Sequence, residues 1–549
     1  MRNDMKHIYA NAGARSLALA VSLASSVPAM AAQIDLGDSD WQLRWDNTLK
    51  YSQAWRLNRA DDRLTNAPTA GGLYPSIQSQ GDKNFSRGLV SNRLDIFSEM
   101  DLSHRNYGLR VSGAAWYDRV YNEDTDSSEQ PRFLSKTREL HGRDAELLDA
   151  FVYLRGELGE SSQGVLRLGR HSLVYGESLF YGGNGIGAAQ GPTDVVKLLS
   201  VPGSQFKEIL RPVNQISGQL QINPQLSVGA YYQFEWERSN LPGAGSYLSD
   251  NDAIGDGSGD LRQVFGNLTV HGKDIEAKNS GQGGLQLRYK PEGTELELGL
   301  YAAQYHDKAP SGLYAYIDGP AAQATGLPIL NEYRQVFAEN IKTVGASFST
   351  AYGDFNFAGE ASLRWDAPLV SNLQVVAPGQ LADNAGDALY AKGRTAHINL
   401  STIYLLSPSA LWDGGSILAE LAWNRTLSVT DNRNALDSNT TRDATALRVL
   451  AEPAYFQIAD GLDLSVPIGV GIVLDGRSSA VSKSGFGNTH AGDWSVGLKA
   501  TYLQRWEMGL NYVNFFGAPG AGLREDGNFS YAQSLADRDF VSLYVKTTF

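Results

Sequence analysis

The feature that most constrains the fold of this chain is a period-two alternation of apolar and polar residues that recurs along the sequence. The clearest stretches are 41–55, 225–237 and 491–503, where apolar or aromatic residues occupy every second position. This period indicates β-strands with one apolar and one polar face. The stretches are long for a soluble sheet but fit tilted membrane strands, which need about 9 to 11 residues for the apolar band. We therefore interpret them as strands with the apolar face outward and the polar face inward.

The connections between such segments alternate between short and long. Short ones such as 223–224, 291–293 and 351–353 are followed by much longer ones, as in barrels with short periplasmic turns and long extracellular loops. The sequence therefore predicts an all-β fold, a single transmembrane antiparallel β-barrel of about 18 strands (16 to 18). Segment 146–156 also fits a helix by composition, and 261–270 fits a hairpin within a loop. The predicted strands are 41–55, 91–104, 107–120, 146–156, 163–173, 214–222, 225–237, 283–290, 294–305, 341–350, 354–364, 394–406, 415–425, 444–455, 461–475, 491–503, 505–517 and 539–549.

The composition agrees with this fold and excludes several other classes. Charged residues make up 19% of the 549 residues, whereas glycine (58) and aromatic residues are abundant, as expected for many strands joined by loops. After residue 31 there is no run of about 20 apolar residues, which excludes a helical membrane protein. The net charge of −13 argues against a nucleic-acid partner. The absence of cysteine excludes disulfides, thiolate metal sites and cysteine nucleophiles.

The two ends of the chain predict export and assembly into a membrane. Residues 1–31 combine a basic start, a short apolar core and a small-residue cleavage sequence, which is the pattern of a signal peptide. We expect residues 32–549 to form a barrel in the cell outer membrane, in contact with its lipid and lipopolysaccharide. The last predicted strand ends in Phe549, as do strands that the barrel-assembly machinery recognises, so that machinery is a predicted partner.

One long connection, residues 174–213, interrupts the alternating pattern. It contains clustered glycines and the apolar run 195–201 (VVKLLSV), which does not suit a solvated outer loop. Because a barrel of this size has an aqueous lumen, we expect the segment to fold inward as a constriction or lid. The alternative is packing on the barrel rim. The candidate constriction residues are Glu177, Asp194, Lys197, Lys207 and Glu208 in the segment, with Arg44, Arg93 and Arg110 of the wall as further contacts.

The predicted inward positions carry both signs of charge in similar numbers, which indicates no strong preference for one class of ion. Ion pairs between these residues, which would stabilise a water-facing wall, explain the charges more simply than a path for a substrate does. The basic positions are Arg44, Lys50, Arg93, Arg110, Arg288, Arg364, Lys499 and Lys546, and the acidic ones are Asp46, Asp95, Glu99, Asp101, Asp118, Glu235, Glu295, Glu297, Glu360 and Glu507.

The segment around 174–213 also contains a specific series of residues. In order, they are Gly169-Arg170, Tyr175-Gly176-Glu177-Ser178, Phe180, Asn184, Pro192, Asp194, Lys197, Pro202-Gly203, Lys207-Glu208, Leu210 and Pro212-Val213. This series resembles a known family, the Gram-negative outer-membrane proteins called domain of unknown function 1302. Two positions depart from that family's pattern: Tyr175 stands where Trp is usual, and Gln190-Gly191 stands where an Asn precedes the Pro. The resemblance implies a porin-like barrel that acts in the passage of apolar or amphipathic organic compounds.

Other chemistry-bearing residues form no convincing site. The eight histidines are scattered without metal-binding spacing, and residues 183–188 have a dinucleotide-type glycine pattern without a following helix. We therefore expect no cofactor, no metal, no catalytic residues and no enzymatic activity. One acidic loop is a weak calcium candidate that does not match an EF-hand, and a solvated acidic loop is the alternative. Its residues are Asp250, Asp252, Asp256 and Asp260.

These features together favour a porin-like channel for passive or facilitated passage of small organic solutes, including apolar or amphipathic ones. Two alternatives remain open. The first is a non-conducting surface protein for ligand binding or adhesion. The second is an outer-membrane transporter of lipids or other hydrophobic compounds that works by lateral transfer through the wall.

Overall fold

The structure is a computed structural model, and the predicted signal peptide (residues 1–31) lies outside the residues that it describes. Those residues are 32–34, 40–61, 64, 75–76, 79–128, 130–157, 159, 162–255, 257, 261–263, 268–481, 485–487, 489–522, 524 and 528–549.

The described residues contain 18 barrel strands, each antiparallel to its neighbours, and β18 pairs with β1 to close the sheet. Closure leaves no long row of unpaired backbone groups facing lipid. The predicted transmembrane barrel of about 18 strands is therefore confirmed. The strands are β1 Trp41–Arg56, β2 Gly88–His104, β3 Tyr107–Asp118, β4 Arg143–Glu157, β5 Gln163–His171, β6 Val213–Asn223, β7 Leu226–Gln233, β8 Gln282–Tyr289, β9 Glu297–Tyr305, β10 Ile341–Tyr352, β11 Phe355–Pro368, β12 Lys392–Leu405, β13 Gly414–Asp431, β14 Asp443–Ala459, β15 Leu462–Ser465 with Ile468–Gly476, β16 Gly492–Tyr502, β17 Trp506–Phe516 and β18 Phe540–Thr548.

The seam between the first and last strands is completed at the periplasmic end by residues beyond the β1–β18 ladder. Phe549 and Asn47 exchange two backbone hydrogen bonds, of 2.7 and 2.9 Å. A short strand, Ala32–Ile34, then pairs antiparallel with residues 43–45 of β1. These pairings occupy the edge of β1 that β18 does not reach.

The two faces of the wall differ in character, as the alternation predicts. Leu154 and Leu168 point outward and are half exposed, whereas Tyr153 between them in register points inward and is buried. Between β4 and β9 the apolar outer face is concave and forms a groove of about 1000 Å³ lined by aliphatic side chains and glycines. In a membrane barrel such a face contacts lipid, so its exposed apolar residues need no protein partner.

The observed strand limits differ from the predicted ones where loop contacts extend or end the pairing. β13 reaches Asp431 instead of residue 425, because its pairing with β12 continues through a bulge into the loop region. β7 ends at Gln233 instead of residue 237. Segment 146–156, which also fitted a helix, lies within strand β4.

Among the described residues, the long extracellular loops carry a second sheet of six short strands, which come from four different loops. The predicted hairpin at 261–270 is part of it, since residues 261–262 pair antiparallel with 268–269. In order of pairing the strands are Gln374–Val376, Gly312–Ile317, Leu330–Val336, Leu268–His271, Leu261–Gln263 and Pro75–Ser76.

The helices in the described part of the chain are short and belong to loops. They are Gln80–Lys83, Arg119–Asn122, Ser135–Thr137, the π-helical turn Arg138–Gly142, the 3₁₀ turn Ile186–Ala189, Val195–Ser200, Phe206–Ile209, Gly319–Thr325 and the 3₁₀ turn Arg433–Ala435. No helix among the described residues is long and apolar enough to cross a membrane.

A buried ionic cluster joins the loops above the β1–β18 seam. The Arg56 guanidinium contacts the carboxylates of Asp82 at 2.6 Å and Asp537 at 2.8 Å. Arg538 contacts Asp82 at 3.5 Å, and both arginine side chains are fully buried. The cluster fixes the extracellular end of β1 to the β1–β2 and β17–β18 loops.

Candidate functional site

The 174–213 segment, which connects β5 to β6, is held to the polar face of the wall by a series of buried polar contacts. Its first half faces two carboxylates that project from β11 and β13. Glu360 accepts hydrogen bonds from the backbone N–H groups of Glu177 (2.6 Å) and Ile186 (2.9 Å). Glu420 accepts them from the N–H groups of residues 179, 180 and 181. The backbone N–H groups of this part of the segment have no partner strand. The two wall carboxylates accept their hydrogen bonds instead.

Two glycines permit the close approach of Glu360. Gly176 has φ +94°, and a Cβ there would lie 2.3 Å from Oε2 of Glu360. A Cβ on Gly185 would lie 2.2 Å from the other oxygen, Oε1. Any other residue at either position would collide with the carboxylate, and at Gly176 it would also be conformationally strained.

Asn184 anchors the same half of the segment through a buried amide network. Its Nδ2 donates to Oδ1 of Asn399 (2.6 Å), and its Oδ1 accepts from Nδ2 of Asn424 (3.2 Å). Asn399 in turn donates to Glu420 at 2.8 Å. A ring nitrogen of His397 lies 2.9 Å from the same Asn184 oxygen. Because every member is buried, removing one leaves several polar groups without a partner.

Two arginines of the wall complete this half. Arg364 donates from Nη2 to the carbonyls of residues 183 (3.1 Å), 184 (3.0 Å) and 185 (2.8 Å). Arg288 on β8 pairs with Glu177 at 2.8 Å. Burial raises the pKa of Glu177, and Arg288 opposes that shift.

The second half of the segment contacts the opposite group of strands. Asp194 caps the helix Val195–Ser200 by accepting from the N–H of Lys197 at 2.7 Å. The ammonium of Lys197 is paired with Glu146 on β4 and lies 5.1 Å from the ring centre of Trp116. Lys207 donates to Glu99 on β2 at 3.2 Å.

The other contacts of this half are made by the next helix and the turn before it. Glu208 closes a capping box, because its carboxylate accepts from the N–H of Gln205 at 2.7 Å. Ser204 lies 3.4 Å from the ammonium of Lys50 on β1. A Cβ on Gly203 would lie 2.8 Å from the ring of Tyr544 on β18.

The three wall arginines named from the sequence lie in different places. Arg110 pairs with Glu99 at 2.6 Å and so shares that carboxylate with Lys207. Arg93 is buried against Asp95 at 2.8 Å, and its guanidinium lies 5.2 Å from the Trp116 ring that Lys197 also contacts.

Arg44 is not brought to the segment. It pairs with Asp46 at 2.6 Å near the periplasmic end of β1, and its side chain is 70% exposed. The structure thus groups the other candidates with the segment and leaves Arg44 apart.

Sequence reasoning named Glu360 and Arg364 only as inward charges, counted His397 only among the scattered histidines, and did not name Glu420 or Asn399. The signal was weak, because each is a single polar residue at an inward position of an otherwise ordinary strand. Only the closed barrel shows that these strands meet the same loop.

The two described residues of the calcium candidate bind donors of the protein itself. Asp252 accepts from the backbone N–H groups of Gln80 (3.0 Å) and Gly245 (3.2 Å), and Asp250 accepts from Ser534 at 3.1 Å. The other two candidates, Asp256 and Asp260, lie outside the described residues. Within the described part of the chain, no three His, Asp or Glu residues are grouped as metal ligands would be.

A closed 18-stranded antiparallel sheet with an apolar outer face, a polar inner face and long loops at one end defines a β-barrel of the outer-membrane type. The chain belongs to the family described as "Protein of unknown function (DUF1302)", whose model matches residues 12–549. The resemblance seen in the sequence is therefore confirmed. No curated protein matches the chain.

Several solved barrel structures are similar to this chain at low identity. OccAB2 of Acinetobacter baumannii is 10% identical with a TM-score of 0.43, covering 92% of this chain and 98% of that one. OpdK of Pseudomonas aeruginosa is 11% identical with a TM-score of 0.39, covering 92% and 98%. OprB of Pseudomonas putida is 9% identical with a TM-score of 0.36, covering 92% and 94%. At such scores the architecture rests on the strand pairing described above.

Proposed function

We propose that the protein is a porin-like channel of the outer membrane for passive or facilitated passage of small organic solutes, and that the 174–213 segment constricts its lumen. One observation carries the proposal. Glu360 on β11 binds the backbone of residues 177 and 186, whereas Glu99 on β2 binds Lys207. These two strands are nine apart in a barrel of 18, so they lie on opposite walls. A segment that contacts both walls through their polar faces crosses the lumen.

The character of the inner wall supports an organic solute over a simple ion. Charged side chains lie on many strands of the inner wall, among them Arg93 on β2 and Arg110 on β3, each of which is paired with a carboxylate. On β7 and β9 the buried inward side chains include Tyr231 and Tyr301, which pack against Tyr175 of the segment. Aromatic and charged walls facing one passage suit molecules with both apolar and polar parts.

The cellular setting belongs to the same proposal. We assign residues 1–31 as a cleaved signal peptide and 32–549 as the barrel in the outer membrane, surrounded by lipid and lipopolysaccharide. The final strand, ending in Phe549, would be the part that the barrel-assembly machinery binds. The antiparallel pairing of β18 with β1 supports a role of this strand in closing the barrel.

The direct test is single-channel conductance of the refolded barrel in a planar bilayer. Deletion of residues 184–200 is expected to raise the conductance, because it removes the centre of the crossing segment. The matched control is deletion of the exposed loop helix Gly319–Thr325, which has no buried residue and is expected to leave conductance unchanged. Unchanged conductance in a correctly assembled 184–200 deletion would overturn the constriction.

One observation favours a second candidate, lateral transfer of a hydrophobic compound through the wall. The six-stranded loop sheet joins four extracellular loops. If these loops cover the extracellular opening of the barrel, a route through the wall is favoured over diffusion along the barrel axis. A folded, heat-modifiable barrel that shows no conductance would support this candidate over the channel.

A further inference from the structure

We propose that three arginines at the periplasmic side of the inner wall form a binding site for the carboxylate of an aromatic organic acid. The arginine patch consists of Arg110 on β3, Arg155 on β4 and Arg167 on β5. The proposal rests on the proposed channel function, since it names a class of solute that the lumen would bind.

Strand register brings the three side chains to one face. Tyr153, which faces inward, is paired across the sheet with Arg167. Arg155 lies two residues further along β4, two residues before the end of that strand, and so shares the inward face of Tyr153. Arg110 is paired with Phe151, which shares that face two residues in the other direction. The patch therefore runs from the periplasmic turn into the lumen.

Three carboxylates lie beside the three arginines of the patch, since Asp101 is paired in register with Arg110 and accepts a hydrogen bond from the Tyr153 hydroxyl at 3.2 Å. The ion pairs are nevertheless unevenly distributed among the arginines. Arg110 is paired with Glu99 at 2.6 Å and with Asp149 at 3.5 Å. In contrast, the side chains of Arg155 and Arg167 form no ion pair or hydrogen bond with the described residues. An anion bound between these guanidinium groups would relieve like-charge repulsion in a partly desolvated wall.

Aromatic rings line the same place. The guanidinium of Arg155 lies 4.9 Å from the ring centre of Tyr153. The Phe151 ring lies 6.3 Å from Tyr153 and 5.3 Å from His171. The Tyr153 ring lies across Gly108, where a Cβ would be 2.4 Å from the ring, so the ring is held against the wall.

The arginines and the aromatic rings together suit a ligand that has both a carboxylate and an aromatic ring. Arginine is the residue best suited to a planar carboxylate, because its fork of N–H donors matches the two oxygens. The Phe151 ring, which is only partly buried, offers a surface against which an aromatic body can stack. A neutral amide of the same shape would keep the stacking and lose the charge-assisted hydrogen bonds, and acetate would do the reverse.

The test measures binding of benzoate, benzamide and acetate to the full-length barrel in detergent by calorimetry. We expect benzoate to bind more tightly than either analogue. The double variant Arg155→Gln with Arg167→Gln should weaken benzoate binding at least about tenfold, the effect of losing one charge-assisted contact. The control is Arg132→Gln, an arginine of an extracellular loop whose side chain is 81% exposed, which should bind benzoate like the wild type.

The outcomes separate this proposal from the channel. Equal binding of benzoate and benzamide, no binding of benzoate, or equal benzoate affinity in the double variant and the control would each overturn the arginine patch, even if the barrel conducts. Benzoate binding that is lost in the double variant establishes the patch, even if the barrel shows no conductance. In a conducting barrel, block of the current by benzoate should be lost in the same variant.

Discussion

At the scale of single residues, the buried carboxylate of Glu420 is the contact on which much of the segment's first half depends. It accepts from Oγ of Ser178 at 2.8 Å, from Asn399 at 2.8 Å and from three consecutive backbone N–H groups, 179–181. We expect Glu420→Gln to weaken docking of the segment by about 2 kcal/mol or more, because an amide nitrogen cannot accept and leaves buried donors unsatisfied. Hydrogen exchange of residues 177–186 should accelerate roughly 30-fold.

The matched control for this variant is Glu295→Gln. Glu295 lies at a periplasmic turn, where its exposed carboxylate is 3.4 Å from the ammonium of Lys290. An exposed pair of this kind contributes little to stability, so exchange of residues 177–186 should stay at the wild-type rate. Similar exchange rates in the two variants would show that Glu420 does not hold the segment.

Glu360, Arg364 and Arg44 show which features of single residues could be predicted from the sequence. Alternation along a strand predicts the direction of each side chain, which is why Glu360 and Arg364 were assigned inward. Their partners could not be predicted, because Glu360 lies 183 and 174 residues from the N–H groups that it binds. Such contacts depend on where β11 falls around the closed barrel. Arg44 was named as a candidate because alternation predicted that it points inward. The direction of a side chain does not show how far along the barrel axis the residue lies, and Arg44 lies near the periplasmic end, away from the segment.

At the scale of elements, the pair of Lys197 and Glu146 fixes the helix Val195–Ser200 to β4. The Lys197 side chain is 5% exposed and that of Glu146 is 16% exposed, so either charge is poorly solvated when left alone. We expect Lys197→Met to destabilise docking of this helix and Glu146→Gln to restore part of the loss. A double-mutant cycle should give a coupling of about 2 kcal/mol, measured by hydrogen exchange of residues 195–200. Additive effects of the two substitutions would mean that the pair does not hold the helix.

The barrel strands were predictable as elements because each carries its own evidence in the period-two pattern and in short or long connections. The loop strands were not. Gly312–Ile317 and Leu330–Val336 pair with each other, but their other neighbours come from distant loops, Gln374–Val376 and Leu268–His271. Only the hairpin at 261–270, whose two strands are adjacent in sequence, was suggested beforehand.

At the scale of the whole molecule, the loops above the β1–β18 seam form a buried ionic region whose stability should depend on pH. Burial raises the pKa of Asp252 to about 7. Burial and the neighbouring Asp82 raise the pKa of Asp537 to about 6, against the opposing charge of Arg56. In an unfolded chain both carboxyls have the usual aspartate pKa of about 3.9. The folded loops therefore bind protons more tightly than the unfolded ones.

This difference sets the sign of the pH dependence. Between pH about 4 and about 7 the folded state holds more protons than the unfolded state, so stability falls as the pH rises through this window and becomes constant above it. We expect residues 79–84 and 245–252 to be less protected from hydrogen exchange at pH 8 than at pH 5, after correction for intrinsic exchange. Asp252→Asn, which has no titrating group at that position, should show a flatter dependence. If protection in the wild type were equal or higher at pH 8, buried protonated carboxyls would not be what holds these loops over the seam.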